Sequence, residues 1–388
     1  MKILIFNTLY YPNQLGGAEK SVQLLAEGLV KKGEEVVVVT TSNKEYIDYV
    51  NGVKVYYLKI NNLYWPYISK EQNKIKKPLW HLIDSYNIFN PNKIDQIIKK
   101  ENPDVIHTNN LAGFSVIVWK IAKKYNKKIV HTLRDYYLLC PKSTMYKNDK
   151  NCKNQCLDCK LLSIPKKNYS KYVDVVVGIS EFILNRHKEF GYFPNAKIET
   201  VIYNSVEVPK VNIKKENKKE IILGFVGRIE KAKGIEFLLE KFSRLKLENV
   251  KLFIYGRGLT KEYESEIKQK YESSQILFKG FKKPEEIYNE IDILIVPSLW
   301  NEPFGRIVPE ANSYGVPVLV SNRGGLPELV EEGKNGYMFD PDKEGDFEEK
   351  LKKIIEMKKN SSCNFDNKEK FSLENIINKF MGIYNVVT

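Results

Sequence analysis

The sequence predicts an α/β protein made of two doubly wound domains, each with a parallel sheet covered by helices. Three observations carry this reading. Short apolar runs alternate with helix-like periods through both halves of the chain. The alternation stops at a charged run past the middle and then restarts. At 388 residues the chain is too long for one small core, and two domains are expected.

The elements of the first half follow in order. ILIFN is an apolar strand near the amino terminus. MKILIFNTLYYP superficially suggests a secretion signal, but its apolar core is short, Asn7 interrupts it and no small-residue cleavage site follows. A first buried strand is expected instead. AEKSVQLLAEGLVKKG has helical spacing and a stop at Gly33. EVVVVTT is β-branched and rich enough in valine to be buried on both faces. PDVIHTNN, KKIVHTLRD and VDVVVGIS are further short strands ending in polar residues. The segment from Tyr57 to Asn92 fits neither pattern, because NNLYWPYISK and KKPLWHLIDSY mix aromatic residues with lysine. It reads as an insertion packed on the first domain, or as a basic–aromatic surface that meets a membrane or an unusual acceptor.

Residues 211–219, VNIKKENKK, have almost nothing to bury and read as a surface linker. IILGFVGRI, KGIEFLLEKFSRL, KLFIYG, ILFKG, IDILIVPS and GVPVLVSN then restart the alternation. FSLENIINKFMGIYNVV is expected as an amphipathic helix with Leu373, Ile376, Ile377 and Phe380 on its apolar side. The expected boundaries are 1–206 for the first domain, which includes a cysteine loop at 140–160, and 207–370 for the second. The helix of 371–388 packs within the second domain or crosses back to the first.

Composition narrows the function. Hydrophobic residues make up 43% and charged residues 28%, which suits filled cores in a water-facing shell. No run reaches the length that spans a bilayer. The net charge of +14 favours anionic partners such as a nucleotide or a lipid headgroup surface. Lysine is spread so widely that nucleic acid is not the expected partner. Cytoplasmic placement follows, with peripheral contact at the anionic inner face of the cell membrane as an option.

Strand ends carry the chemistry in such sheets. NQLGGAEK sets Gly16 and Gly17 before a helix, where free N–H groups and the helix dipole favour an anion. FVGRIEKAKG repeats the arrangement in the second half and adds cations: Gly227 ends a strand, and Arg228 and Lys233 follow. A guanidinium fork and a mobile ammonium together can neutralise a diphosphate, although either can also be an ordinary surface charge. IDILIVPS runs into SLWNEPFGR, a loop because Pro303 and Gly305 break regular structure, and a helix is expected from near Phe304 or Gly305. Glu302 stands before that helix and Glu310 on it. Such carboxylates can accept paired hydrogen bonds from sugar or ribose hydroxyls. VSNRGGLPELV places Gly324 and Gly325 before another helix expected at Pro327.

In order and spacing, GGAE, NS at 204–205, GRIEKAKG, YGRG, Glu302–x7–Glu310 and SNRGGLPELV resemble the retaining glycosyltransferases of family 4, also called group 1. The resemblance covers most of the chain, from Gly16 to Phe339. It implies the GT-B fold, two Rossmann-like domains facing across a deep cleft. It also implies transfer of a hexosyl or related sugar, with retention, from a UDP- or GDP-sugar to a hydroxyl of a glycan or lipid-linked glycan, without a catalytic metal. By resemblance Arg228 and Lys233 contact the donor diphosphate, Glu302 the transferred sugar and Glu310 the ribose. By the same resemblance Gly16 and Gly17 form a loop near the diphosphate and acceptor, Gly324 and Gly325 a loop near the donor, and Gly227 and Gly305 belong to the donor-binding set. Where the family usually has histidine before aspartate, this chain has Arg134 before Asp135, and His131 stands three residues earlier. Asp135 is taken as an acceptor-side catalytic candidate, and His131 as a hydrogen-bonded core residue. The rival readings are a nucleotide-sugar epimerase or sugar-phosphate synthase of the same fold, and a non-catalytic sugar-nucleotide-binding or membrane-scaffold protein.

Cys140, Cys152, Cys156 and Cys159 cluster within a polar loop. Four soft ligands suit a structural zinc or an iron–sulfur cluster; free thiols and two disulfides are the alternatives, the latter disfavoured in a reducing compartment.

Overall fold

A computed structural model describes residues 1–14, 16–60, 62–67, 76–89, 91–207, 220–360, 363 and 365–388, the side chains of 366–368 excepted. The linker expected at 211–219 lies outside the described residues, as does part of the segment 57–92. By their contacts the described residues form two units. Unit 1 comprises Met1–Met145, Lys153–Ser205 and Leu373–Thr388, and unit 2 comprises Tyr146–Cys152 and Val206–Ser372.

The strands of the first half are β1 (Lys2–Phe6), β2 (Glu35–Ser42), β3 (Tyr46–Val50), β4 (Val53–Lys59), β5 (Val105–Thr108), β6 (Lys128–Leu133), a hairpin of β7 (Tyr146–Lys147) and β8 (Lys150–Asn151), β9 (Val175–Gly178) and β10 (Ile198–Val201). The helices there are α1 (Gly17–Lys31), α2 (Lys76–Ser85), α3 (Pro91–Glu101), α4 (Ile117–Lys124), α5 (Leu157–Ser170) and α6 (Glu181–Glu189). Unit 1 holds one eight-stranded sheet in the order β10-β9-β6-β5-β1-β2-β4-β3. Its neighbours are parallel except for the antiparallel pair β3–β4. The valine-rich strands β2 and β9 are buried almost throughout, as strands covered on both faces must be.

The last helix of the chain, α12 (Leu373–Val387), belongs to unit 1. Ile377 fits against Gly28 of α1 so closely that a Cβ there would meet its Cδ1 at 2.2 Å. Ile376, Ile377, Phe380 and Tyr384 join the core formed by β1, β2 and α1. The helix is amphipathic, and its apolar stripe is what fixes this docking.

Unit 2 is built from β11 (Ile221–Val226), β12 (Val250–Tyr255), β13 (Ile276–Gly280), β14 (Ile293–Val296), β15 (Val318–Ser321) and β16 (Gly336–Phe339), all parallel, in the order β13-β12-β11-β14-β15-β16. Its helices are α7 (Ile235–Leu245), α8 (Lys261–Tyr271), α9 (Pro284–Glu290), α10 (Ile307–Ser313) and α11 (Asp346–Lys359), and α12 (Leu373–Val387) follows. Successive strands step away from β11 on one side and from β14 on the other. The loops after β11 and β14 therefore part at a topological switch point, where doubly wound sheets open a crevice. In unit 1 the same place lies between β1 and β5.

Candidate functional site

The switch point of unit 2 brings together residues 69 positions apart. After β11 the chain passes Gly227 and Arg228, makes a single 3-10 turn at Lys231–Lys233 and enters α7 through Gly234. Gly234 has φ 74°, and a Cβ on it would lie 1.8 Å from the Pro297 carbonyl oxygen, so only glycine lets the loops after β11 and β14 touch. That contact sets Lys233 beside Glu302: the ammonium Nζ donates to Oε1 at 2.6 Å. Ser298 donates to the same oxygen at 2.7 Å. Oε2 of Glu302 has no hydrogen-bond partner among the described residues. Glu302 as a whole is 7% exposed.

The two cations of the loop differ. Arg228 is 62% exposed and reaches Glu230 at 3.1 Å, an ion pair largely screened by water. Lys233 is mostly enclosed, and its ammonium also lies 5.2 Å from the Trp300 ring centroid. The Gly324–Gly325 pair packs under Glu302. Gly325 N–H donates to the Glu302 carbonyl at 2.7 Å, and a Cβ on Gly324, at φ 62°, would lie 2.1 Å from that oxygen. These glycines thus hold the backbone of Glu302. The helix expected at Pro327 is a 3-10 turn, Leu326–Leu329.

Gly305 lies in the irregular stretch after Glu302, and α10 starts two residues later, at Ile307, not at Phe304 or Gly305. Glu310 is in its first turn. The Arg306 guanidinium lies 2.9 Å from its Oε1, and the Tyr288 hydroxyl donates to Oε2 at 3.4 Å. Burial pushes the Glu310 carboxyl up from the ordinary range, and Arg306 and Tyr288 oppose that. Glu302 and Glu310 accordingly have separate partners and separate surroundings.

A residue that sequence reasoning missed joins this site. Asn151, at the end of the β7–β8 hairpin, donates through Nδ2 to the Leu299 carbonyl at 2.8 Å and accepts through Oδ1 from Asn301 N–H at 2.7 Å. One side chain thus brackets Trp300 and steadies the chain entering Glu302. Asn148 and Asp149 turn the hairpin with φ of 52° and 55°, the conformation that suits Asn and Asp at a tight two-residue turn. These contacts are why residues 146–152 group with unit 2, whereas the cysteine loop was expected wholly in the first domain. The sequence signal, NDKN, has turn chemistry but no flanking hydrophobic strands.

In unit 1, Gly16 caps α1 and Gly17 opens it. Both are exposed. The Gly16 N–H donates to Glu19 Oε2 at 2.9 Å, so the helix supplies its own carboxylate where an anion was expected. His131 is a buried core residue: Nδ1 shares a hydrogen bond with the Thr108 hydroxyl at 2.9 Å, and burial lowers its pKa to about 3. Arg134 is buried, donating to Asn109 Oδ1 at 2.8 Å and Asn204 Oδ1 at 2.7 Å. Next to it Asp135 accepts from Tyr137 N–H at 2.7 Å. Burial raises the Asp135 pKa to about 6, against the pull of Lys166 and Arg134.

Behind Asp135 lies a group that nothing in the sequence marks. Asp84 accepts from Gly113 N–H at 2.5 Å and from the Tyr137 hydroxyl at 2.9 Å. Lys166 is buried, donates to the Tyr137 carbonyl at 2.8 Å and has its ammonium 3.5 Å from the Tyr137 ring centroid. Burial brings Asp84 up to about 6 and Lys166 down to about 8, each restrained by the other's charge.

The four-thiolate metal site expected at Cys140, Cys152, Cys156 and Cys159 is not assembled. Among the described residues no group of three or more His, Cys, Asp or Glu side chains is placed to hold a metal ion, and none of the five cysteines is in a disulfide. Cys156 caps α5 with its Sγ 3.3 Å from that of Cys159. Cys140 is buried, while Cys152 closes the segment that groups with unit 2. Burial and the neighbouring sulfurs push the Cys159 thiol up, so it stays protonated.

Comparison with known proteins agrees with this architecture. Residues 15–209 match the model described as Glycosyltransferase Family 4, and residues 209–370 match Glycosyl transferases group 1. An uncharacterised 42.6 kDa protein in the cps region of Klebsiella pneumoniae is 40% identical over 344 residues, covering 88% of this chain and 90% of that one. The sucrose-phosphate synthase of Thermosynechococcus elongatus is similar in fold, with a TM-score of 0.75 at 18% identity, covering 100% of this chain and 98% of that one. HepE of Anabaena, solved in complex with UDP-glucose, has a TM-score of 0.70 at 18% identity and full coverage of both chains.

Proposed function

We propose, from the premise that this chain belongs to the family 4 (group 1) glycosyltransferases, that it transfers a sugar with retention from a UDP-sugar to a hydroxyl of a glycan or lipid-linked glycan. One observation carries the reading: Lys233 and Glu302 meet at the switch point with one carboxylate oxygen still unpartnered. A cation and a carboxylate at that place suit the two ends of a nucleotide sugar. Arg228 and Lys233 neutralise the diphosphate and the charge that grows on it as it leaves. Glu302 Oε2 accepts from a hydroxyl of the transferred sugar. Glu310, whose carboxyl is buried between Arg306 and Tyr288, accepts from the ribose hydroxyls.

The UDP-sugar is favoured over a GDP-sugar because the HepE neighbour was solved with UDP-glucose. Retention is the family's route: the acceptor attacks from the face that the diphosphate leaves, and no protein nucleophile is required. Asp135, with one oxygen unpartnered among the described residues, is the acceptor-side group. Its raised pKa lets it hold a proton near pH 6 and accept one above it. A lipid-linked acceptor places the protein at the inner, anionic face of the cell membrane.

Thermal shift with UDP, GDP and their sugars, followed by mass-detected transfer to cell-derived glycan and lipid extracts, tests this reading. Stabilisation by UDP-sugars with a new glycosylated product supports it. Stabilisation without any turnover of donor would select a non-catalytic binder.

A further inference from the structure

On α5 three large apolar side chains are left in water. Leu157 is 70%, Leu161 57% and Ile164 52% exposed. Their spacing of four and three residues places them on one face of the helix. The opposite side is the packed one, where Ser163, Lys166 and Ser170 are buried. A scattered exposed leucine needs no explanation. Three in line on one helix face do, and α2, which packs against α5, exposes Leu79 and Leu82 as well.

The stripe has a charged border. Lys160, Lys167 and Lys171 are exposed. At about 100° per residue they fall along one flank of the Leu157–Leu161–Ile164 line. Lys76 and Lys77 are exposed at the start of α2. None of these five ammonium groups is paired with a carboxylate among the described residues, whereas Lys123, Lys124 and Lys188 of the same unit pair with Asp174, Asp95 and Glu199. Asp158 is the single carboxylate on α5, and Asp84 of α2 is buried.

Apolar residues in a line beside uncompensated lysines are the marks of a helix that lies in a lipid–water interface. Lysine stems reach along the apolar surface and keep their charge among headgroups. A protein partner is a poorer fit, because lysine is depleted in protein interface cores. A second copy docked by two-fold symmetry would set these lysines against their equivalents. No helix among the described residues is long and apolar enough to cross a membrane, so the contact is with the surface.

We propose that the exposed stripe of α5, with Leu79 and Leu82 of α2 and the bordering lysines, is a docking face for an anionic lipid bilayer. This rests on the reading that the acceptor is lipid-linked, and it names the surface that would hold the protein beside that acceptor. Each lysine near an anionic surface contributes about fivefold to partitioning, and buried leucine side chains contribute as much or more.

Co-sedimentation of the full chain with vesicles of phosphatidylglycerol and phosphatidylcholine, and of phosphatidylcholine alone, tests it. Two variants are compared with the parent: L161S/I164S, and K160Q/K167Q/K171Q. The first should bind both vesicle types about tenfold less or weaker still. The second should lose its preference for phosphatidylglycerol and the salt sensitivity of that preference. Donor hydrolysis in solution should stay unchanged in both, because the substitutions are outside the donor machinery of unit 2. Parent-like binding by both variants would overturn the face while leaving membrane association standing. Failure of the parent to bind phosphatidylglycerol vesicles would overturn both, with donor chemistry unaffected. A parent that is dimeric by light scattering and becomes monomeric in L161S/I164S would assign the face to a second copy.

Discussion

Lys233 and Glu302 form an enclosed ion pair at 2.6 Å, across the loops that follow β11 and β14. Arg228, five residues before Lys233, is largely in solvent. On sequence grounds the two cations are expected to behave alike, as post-strand loop residues replaceable without harm to the fold. The structure separates them. Lys233→Ala strands a buried carboxylate and should destabilise unit 2 by about 1–3 kcal/mol. Arg228→Ala should stay within about 0.5 kcal/mol. Both should lower kcat/KM for the donor by about tenfold or more, since each removes a charge from the diphosphate side. Urea unfolding beside steady-state kinetics makes the comparison, and equal stability losses would contradict the assignment.

The glutamates should part in a different way. Glu310→Gln should weaken binding of both free UDP and the full donor, because its proposed partner is the ribose. Glu302→Gln should leave free UDP nearly as before and depress transfer. Calorimetry with the two ligands reads this, and a matched loss of free UDP in both variants would argue against separate roles.

Asn151 offers a test of how the Glu302 loop is held. Asn151→Ala leaves the Leu299 carbonyl and the Asn301 amide without their partner, at a cost of about 1–2 kcal/mol. Donor kcat/KM should fall about tenfold through a loosened Glu302. Asn151→Asp keeps the acceptor for Asn301 and should fall between parent and alanine. Unchanged kinetics in Asn151→Ala, with stability lowered, would make the hairpin a scaffold only.

The Asp84–Lys166 group sets a pH dependence. A carboxyl whose folded pKa is raised, here to about 6, contributes stability that is full below its ordinary pKa and is lost as pH rises through 6. Lys166, lowered to about 8, has the opposite sign: its contribution is present above the ordinary lysine pKa and is lost as pH falls through 8. From pH 5 to 7 the lysine stays charged and the carboxyls titrate. The Tm should therefore decline over that range in the parent, and Asp84→Asn should flatten the decline. An equal slope in both proteins, followed by circular dichroism, would remove Asp84 from the account.

The legible parts of this protein were those with a local cause. β2 and β9 show as unbroken valine runs, and Gly33, Gly227 and Gly324 punctuate elements where they were expected. β3 has no clear mark in the sequence, because YIDYV leaves four of its five residues exposed at a sheet edge. The end of β4, from Tyr57, falls within the segment of mixed aromatic residues and lysines that hides its strand pattern. Pairings between distant residues had no local trace: Lys233 with Glu302, Asn151 with Leu299 and Asn301, and Asp84 with Tyr137. Lys166 is one lysine among many in the sequence, and only the fold shows that it is buried. The cysteines illustrate the converse, since proximity in sequence did not bring four sulfurs into one ligand set.

Retention or inversion in transfer from a UDP-sugar is decided by the anomeric configuration of the first product. Purified protein would be given an α-linked UDP-sugar and a hydroxyl acceptor, and the anomeric proton coupling of the new glycoside would be read by NMR. The donor should be consumed and the product α-linked, with product formation slowed about tenfold or more in Lys233→Ala. A β-linked first product, or a donor left intact beside a competent acceptor, would contradict retaining transfer.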